Sequence, residues 1–236
     1  SSEEQARNAI EAIELEFEAL PSATTLTDSL APNAPQFTEA PDNRVAETRY
    51  GDVQATQAAF AQAAHLVQLD IVNQRVAALS IEPRSVLAYP EQGRLHIRMS
   101  SQMPTGVRAT VSDLLGLDKD NIRVIVGDVG GGFGMKTGAY AEDVVTAYCA
   151  HTLQRPVKWI ADRSEEFLSS SHGRDIQTQA SLALASDGKI LGLRIETLAN
   201  VGAYPTMTGL AIQMLIGPWV QSSVYDIQTI DYHFTG

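Results

Sequence analysis

The run DVGGGFGMKTG, residues 128–138, narrows the folds open to this 236-residue chain more than any other feature. It follows NIRVIVGDV, an apolar run that reads as a buried strand, and precedes residues 139–153, whose apolar spacing predicts a helix. A strand that turns into a helix through three consecutive glycines, Gly130, Gly131 and Gly132, marks a corner where backbone must adopt unusual angles or meet another group closely. Amides at such a corner, ahead of a helix N-terminus, favour an anion or a ligand oxygen. The run misses the phosphate loop G-x-x-x-x-G-K-[ST] by one letter, because Met135 stands where the second glycine belongs. It also misses the dinucleotide fingerprint G-x-G-x-x-G, which counted from Gly130 or Gly132 ends on Met135 or Thr137. On these residues the corner is a tight turn without a ligand, a degenerate phosphate loop, or a point of close approach for a different guest. Phe133, flanked by glycines, is expected to pack against a group brought in from elsewhere.

Hairpins and crossover helices alternate along the rest of the chain, the pattern of an α+β (mixed α/β) fold. The first twenty residues predict a helix, with Ala6, Ile10 and Ile13 on one face, and then a strand in which Leu15, Phe17 and Ala19 alternate with glutamates. Residues 21–52, rich in Pro, Ala, Thr and Asn, read as a long connector. An N-terminal segment 1–52 and a main domain 53–236 follow from this division. Strands are expected at HLVQLDIVNQRVAALSI, SVLAYP and RLHIRMSSQ, where Leu95, Ile97 and Met99 alternate with polar residues. Pro104 opens a helix whose apolar face is Val107, Val111, Leu114 and Leu115, and Gly116 ends it. The helix at 139–153 is expected to turn Ala141, Val144, Val145, Tyr148 and Cys149 inward. Then come the strand PVKWIAD, a short helix capped by Ser164, and the strands IQTQASLALA and ILGLRIETLA joined across Asp187-Gly188. A helical stretch at 206–216 and the strand IQTIDYHF close the order. Gln102 ends an alternating strand directly before a helix, so its carboxamide, with two donors and an acceptor, is a turn or capping group or stands at a site edge.

Lys plus Arg number 17 against 28 Asp plus Glu, a net charge of −11 with no basic block. That balance argues against nucleic acid, whose binding rests on phosphate neutralisation. One cysteine, Cys149, excludes an intrachain disulfide and fits a reducing compartment. No apolar run reaches the length of a membrane span, and LAIQMLIG stops at Pro218. The acidic start SSEEQARNAI lacks the basic and apolar regions of a signal peptide, so a cytoplasmic protein is expected.

Four stretches taken in order, IEPRSVLAY (81–89), SSQMPTGVR (100–108), GDVGGGFGMKTGAYAEDV (127–144) and RPVKWIADRSEEFLSSSHGRD (155–175), resemble the large subunit of the molybdenum hydroxylases. These are the xanthine dehydrogenase, aldehyde oxidase and aerobic carbon monoxide dehydrogenase group. The resemblance implies a molybdenum-cofactor-binding domain with long mixed sheets and flanking helices. It gives Gln102 the role of the glutamine that hydrogen-bonds the metal's apical oxo group. Gly131, Gly132, Phe133 and Gly134 become the segment that lies beside the cofactor, and Lys136 a structural charge rather than a phosphate lysine. No side chain of the chain is implied as a metal ligand. The implied cofactor is molybdenum–molybdopterin in its cytosine dinucleotide form, with FAD on a medium subunit and [2Fe-2S] centres on a small one. The implied chemistry is hydroxylation of an aldehyde, a heterocycle or carbon monoxide with oxygen from water. Thr137 departs from the glutamate of purine-oxidising members, and the wording around the loop is similar to the carbon monoxide dehydrogenase-like branch. His172 and Arg174 also match, and read as surface or interdomain polar contacts. The family's catalytic glutamate and second active-site loop fall beyond Gly236, so the resemblance implies an internal, inactive piece of a large subunit. A nucleotide-binding module using GGGFGMKT, and a non-catalytic scaffold of the same fold, are the competing readings.

Overall fold

The computed structural model describes residues 2–236. It divides into two compact units, one ending at Val45 and the other Ala46–Gly236. In the first, α1 (Glu3–Glu11) starts with a reciprocal capping box between Ser2 and Gln5. The strand expected next does not form. Leu15 and Phe17 are 77% and 80% exposed, and no second backbone among the described residues pairs with this stretch. A two-residue alternation specifies a strand only when a neighbour satisfies its N–H and C=O groups. The connector is less featureless than its composition suggests. Thr25 caps α2 (Leu26–Ser29), and the Asn43 side chain donates to the carbonyls of Ser29 and Pro35 at 2.9 and 3.1 Å.

The second unit runs β1 (Glu47–Gly51), α3 (Val53–Gln62), β2 (His65–Asn73), β3 (Val76–Ala77), β4 (Ser85–Glu91), β5 (Arg94–Met99), α4 (Pro104–Leu115) and β6 (Ile122–Ile125). It continues through α5 (Ala141–Leu153), β7 (Val157–Ile160), α6 (Arg163–Ser169), β8 (His172–Gly173), β9 (Ile176–Leu184), β10 (Ile190–Ala199), α7 (Met207–Ala211), α8 (Gly217–Val220) and β11 (Ile230–Thr235). A five-stranded sheet has the order β1-β11-β10-β9-β2 and a four-stranded sheet the order β6-β5-β4-β7, with β3 and β8 as a separate ribbon. Both larger sheets mix parallel with antiparallel pairs, and the α+β class holds. Helix α3 and strand β1 were not expected. Asp52 between them caps α3 by accepting from the Ala55 amide at 2.9 Å. The helical stretch after residue 206 forms in three parts, with a π turn, Ile212–Ile216, joining α7 to α8.

The four-stranded sheet builds one core from Val86, Ala88, Leu95, Ile97 and Ile122, covered by Val107 and Val111 of α4 and by Ala147 and Ala150 of α5. Helix α5 keeps Val144 of its expected face against the core, but not Val145 or Tyr148. Asp143, Thr146, Ala147 and Ala150 point inward, while Val145 and Tyr148 are more than half exposed. Small residues at this spacing let the helix lie close to β4, which the bulkier stripe would hold off. Helix α6 is capped by Asp162 rather than Ser164, its carboxylate accepting from the Glu165 amide at 2.8 Å.

The five-stranded sheet packs Leu193, Ile195, Tyr232 and Phe234 on one face. Its other face carries charges. Arg49 grips the buried Asp231 through two hydrogen bonds of 2.8 Å, and His233 sits between Glu47 (2.7 Å) and Glu196 (2.8 Å). Glu47 raises His233 above its ordinary 6.5, burial opposes this, and Glu196 adds to the rise. A raised folded-state histidine contributes its stability fully below about 6.5 and loses it as pH climbs through the folded value. The unfolding midpoint of the protein is therefore expected to fall as pH rises above about 6.5. His233→Gln should flatten that segment of a thermal-denaturation series.

Candidate functional site

Strands β5 and β6 are parallel neighbours, with Leu95 beside Ile122 and Arg98 beside Ile125. Parallel pairing brings their C-terminal ends to the same sheet edge, and the two segments that leave them, Ser100 to Met103 and the glycine run, emerge side by side. Crevices outside the carboxyl ends of strands are where open sheets gather ligands. The juxtaposition of Gln102 with the glycine corner follows directly from the register.

The contact is tight. The Gln102 amide donates to the Lys136 carbonyl at 2.8 Å, and its side-chain Oε1 accepts from the amides of Gly134 (3.1 Å) and Lys136 (3.2 Å). A Cβ on Gly132 would lie 2.4 Å from that Oε1, so only glycine leaves room for the glutamine. With Oε1 engaged by two loop amides, the orientation of the carboxamide is assigned, and its Nε2 keeps both donors for another partner. Gly134 has φ +87° and open space on its Cβ side, a bare patch beside those donors.

Phe133 is 76% exposed and has φ 51°. The expectation that its ring has no nearby residue to pack on needs correction. A Cβ on Gly131 would meet Phe133 Cε2 at 2.9 Å, so the ring folds back over Gly131, which has no side chain to refuse it. Most of the ring still faces away from the protein.

Lys136 does not reach into the loop as a phosphate lysine does. It is 2% exposed, and its Nζ donates to the Glu82 carbonyl (2.9 Å), Glu82 Oε2 (3.0 Å) and Ser100 Oγ (2.9 Å). The same carboxylate oxygen accepts from Ser100 Oγ and the Gly130 amide, both at 2.7 Å. Burial pushes the Glu82 carboxyl up, but the bonds from Ser100, Lys136 and Gly130 and the lysine charge outweigh it and hold it below the ordinary value. Two residues on, Arg84 is 4% exposed, stacked 3.8 Å from the centre of the Tyr140 ring. It pairs with Glu142 (3.4 Å) and the fully buried Glu166 (3.5 Å). Burial raises the neighbouring Asp143 to about 6, against the Tyr140 amide hydrogen bond and the charge of Arg84. The IEPRS stretch thus fastens the glycine corner with Glu82 and the start of α5 with Arg84. Reading the sequence for reactive groups missed Glu82, Ser100 and Arg84 as parts of the corner. The signals were their places in the IEPRSVLAY and SSQMPTGVR stretches and a charged pair around Pro83.

A cleft of about 830 Å³ opens beside the corner, reached by Met103, Met135, Thr137 and Tyr140 on one side and by His172, Arg174 and Asn200 further along. His172 Nδ1 accepts from Arg75 Nε at 3.1 Å, and burial with the Arg75 charge lowers its pKa. His172 and Arg174 line the cleft, away from the Gln102 contacts. Cys149 lies on α5, part-buried and free. Among the described residues no three His, Cys, Asp or Glu side chains converge as a metal cluster would require. No helix among them is long and apolar enough to cross a membrane.

The sequence pattern of the molybdopterin cofactor-binding domain matches residues 36–236. The chain belongs to that family. Over 214 residues the domain is 35% identical to the carbon monoxide dehydrogenase large chain of Hydrogenophaga pseudoflava, a match covering 84% of this chain and 27% of that protein. It is 33% identical to the nicotine 6-hydroxylase large subunit of Paenarthrobacter nicotinovorans, covering 98% of this chain and 29% of that one. Quinoline 2-oxidoreductase from Pseudomonas putida 86 superposes with a TM-score of 0.89 at 29% identity, over 100% of this chain and 30% of that structure. The domain therefore spans under a third of the length of these relatives.

Two substitutions test the corner. Gly132→Ala should displace the Gln102 carboxamide while costing about 1–2 kcal/mol of stability, read as a shift of the Gln102 side-chain NH2 resonances beside a denaturant titration. Lys136→Met leaves the Glu82 carboxylate without its cation and should cost about 2 kcal/mol in the same titration.

Proposed function

We propose that this domain forms one wall of the molybdenum-cofactor site in the large subunit of a hydroxylase of the carbon monoxide dehydrogenase-like type. The observation that carries the reading is the Gln102 carboxamide, pinned through Oε1 to the amides of Gly134 and Lys136, with two free Nε2 donors and open space on the Cβ side of Gly134. A metal held by an organic ligand and bearing a terminal oxygen fits these features, since it needs hydrogen-bond donors and close approach rather than protein ligands. Gln102 would hold the cofactor's oxygen, Gly132 would make room for Gln102, Gly134 would admit the cofactor's bulk, Gly131 would give the Phe133 ring its place, and Phe133 would cover the cofactor's edge. When bound, the molybdenum centre supplies hydroxylation with oxygen taken from water. The chain's own residues orient the group and exclude water from one side of it.

In this reading the cofactor is molybdopterin in the cytosine dinucleotide form. Partners of this domain's subunit would be a small one carrying [2Fe-2S] centres and a medium one carrying FAD, which would supply the route for electrons. The substrate is an aldehyde, a heterocycle or carbon monoxide, and the uncharged Thr137 at the cleft's near end disfavours purines. The phosphate-loop reading loses support because Lys136 is buried on Glu82. A scaffold that keeps the fold without the cofactor differs in one respect: Gln102 would be dispensable.

Metal analysis of the full-length subunit, purified with its partners from a host that makes the cofactor, should give about one molybdenum per subunit. Gln102→Ala should lower substrate-dependent dye reduction by about tenfold or more with the fold intact. Absence of molybdenum from the wild-type subunit, or full turnover by the alanine variant, contradicts the proposal.

A further inference from the structure

We infer that Glu82 and Lys136 act as a pair of positioning residues that set the orientation of the Gln102 carboxamide through the glycine corner. The inference rests on the proposed cofactor site for its consequence, but its geometry stands apart from it. One oxygen, Glu82 Oε2, receives the Gly130 amide at one end of the corner and Lys136 Nζ at the other. Residues 130 to 136 are thereby tied at both ends to a single carboxylate. Between those ties the corner delivers the two amides, of Gly134 and Lys136, that hold Gln102 Oε1. Ser100, two residues before Gln102, closes the link by donating to Glu82 Oε2 and accepting from Lys136 Nζ.

Sterics make the arrangement directional. Gly130 would carry a Cβ only 2.4 Å from Glu82 Cβ, and Gly132 one 2.4 Å from Gln102 Oε1, so the corner is wedged between these two side chains. A shift of the corner at Glu82 is passed toward Gln102, the other side chain against which its glycines are packed. Releasing the clamp frees Oε1 from its amides and lets the carboxamide turn over, which would present an acceptor where the site needs donors. Neither Glu82 nor Lys136 touches the reacting atoms in this account. Both act through Gln102.

The test compares wild type, Glu82→Gln, Gln102→Ala, the charge-free double variant Glu82→Gln/Lys136→Met, and that double variant combined with Gln102→Ala, all as full-length subunit with its partners. The double variant guards against a lone buried charge unfolding the protein. Three readouts are taken: hydrogen exchange at the Gly134 and Lys136 amides, molybdenum content, and the Mo(V) electron paramagnetic resonance spectrum with kcat and KM. The expected result is exchange at those amides faster by about tenfold, with protection of the β4–β5 ladder unchanged. At retained molybdenum, kcat should fall about tenfold with little change in KM, and the Mo(V) spectrum should approach that of Gln102→Ala. Adding Gln102→Ala to the double variant should then lower kcat no further than Gln102→Ala does by itself. Unchanged exchange at Gly134 and Lys136 overturns the inference whether or not metal is bound. So does a kcat loss that adds in full to that of Gln102→Ala. A wild-type subunit without molybdenum defeats the proposed function instead, and leaves the exchange result to decide the clamp.

Discussion

One buried ammonium group organises the glycine corner. Lys136 is taken out of water and surrounded by a carboxylate, a backbone carbonyl and a hydroxyl. An uncompensated charge in that position would cost several kcal/mol, so the partners must be held wherever the lysine is. That requirement links three separate pieces of chain: the stretch before β4, the end of β5, and the loop after β6. The glycines then have a definite purpose. They let the loop pass between Glu82 and Gln102 with no side chain to obstruct either contact.

The fold supplies the setting for that clamp. Parallel pairing of β5 with β6 places two strand exits side by side, and β4 on the other flank of β5 brings Glu82 to the same edge. Helix α5 leaves the corner with small residues toward the sheet, and Arg84 ties its first turn to α6 through Glu142 and Glu166. Charge that looks dispersed in the sequence is gathered into two buried groups around one short motif. The acidic surplus of the whole chain says little about this, since the residues that matter are paired and internal.

The glycine corner was legible as a point of close approach from local backbone chemistry, whereas the parts expected of Gln102 and Lys136 came from the resemblance. A glycine run between a strand and a helix carries its meaning over a short distance. Where meaning depended on distant partners, the residues were silent. Glu82 looked like one letter of a matching phrase until Gly130 and Lys136 were found on it. Leu15, Phe17 and Ala19 alternate as a strand does and form none, because alternation cannot specify a partner. The face of α5 was misjudged because apolarity was weighed over size, whereas closeness to β4 selected Ala147 and Ala150. Phe133 was expected to lack a local contact, and the missing side chain of Gly131 provided one.

The most direct measurement is an experimental structure of the full-length subunit, assembled with its partners and cofactor, at a resolution that fixes the Gln102 carboxamide. The account predicts Gln102 Oε1 on the amides of Gly134 and Lys136, Lys136 Nζ on Glu82, and Gln102 Nε2 within hydrogen-bond distance of an oxygen on the metal. Gln102 turned away from the metal, or the bare face of Gly134 filled by the protein's own side chains, would contradict it.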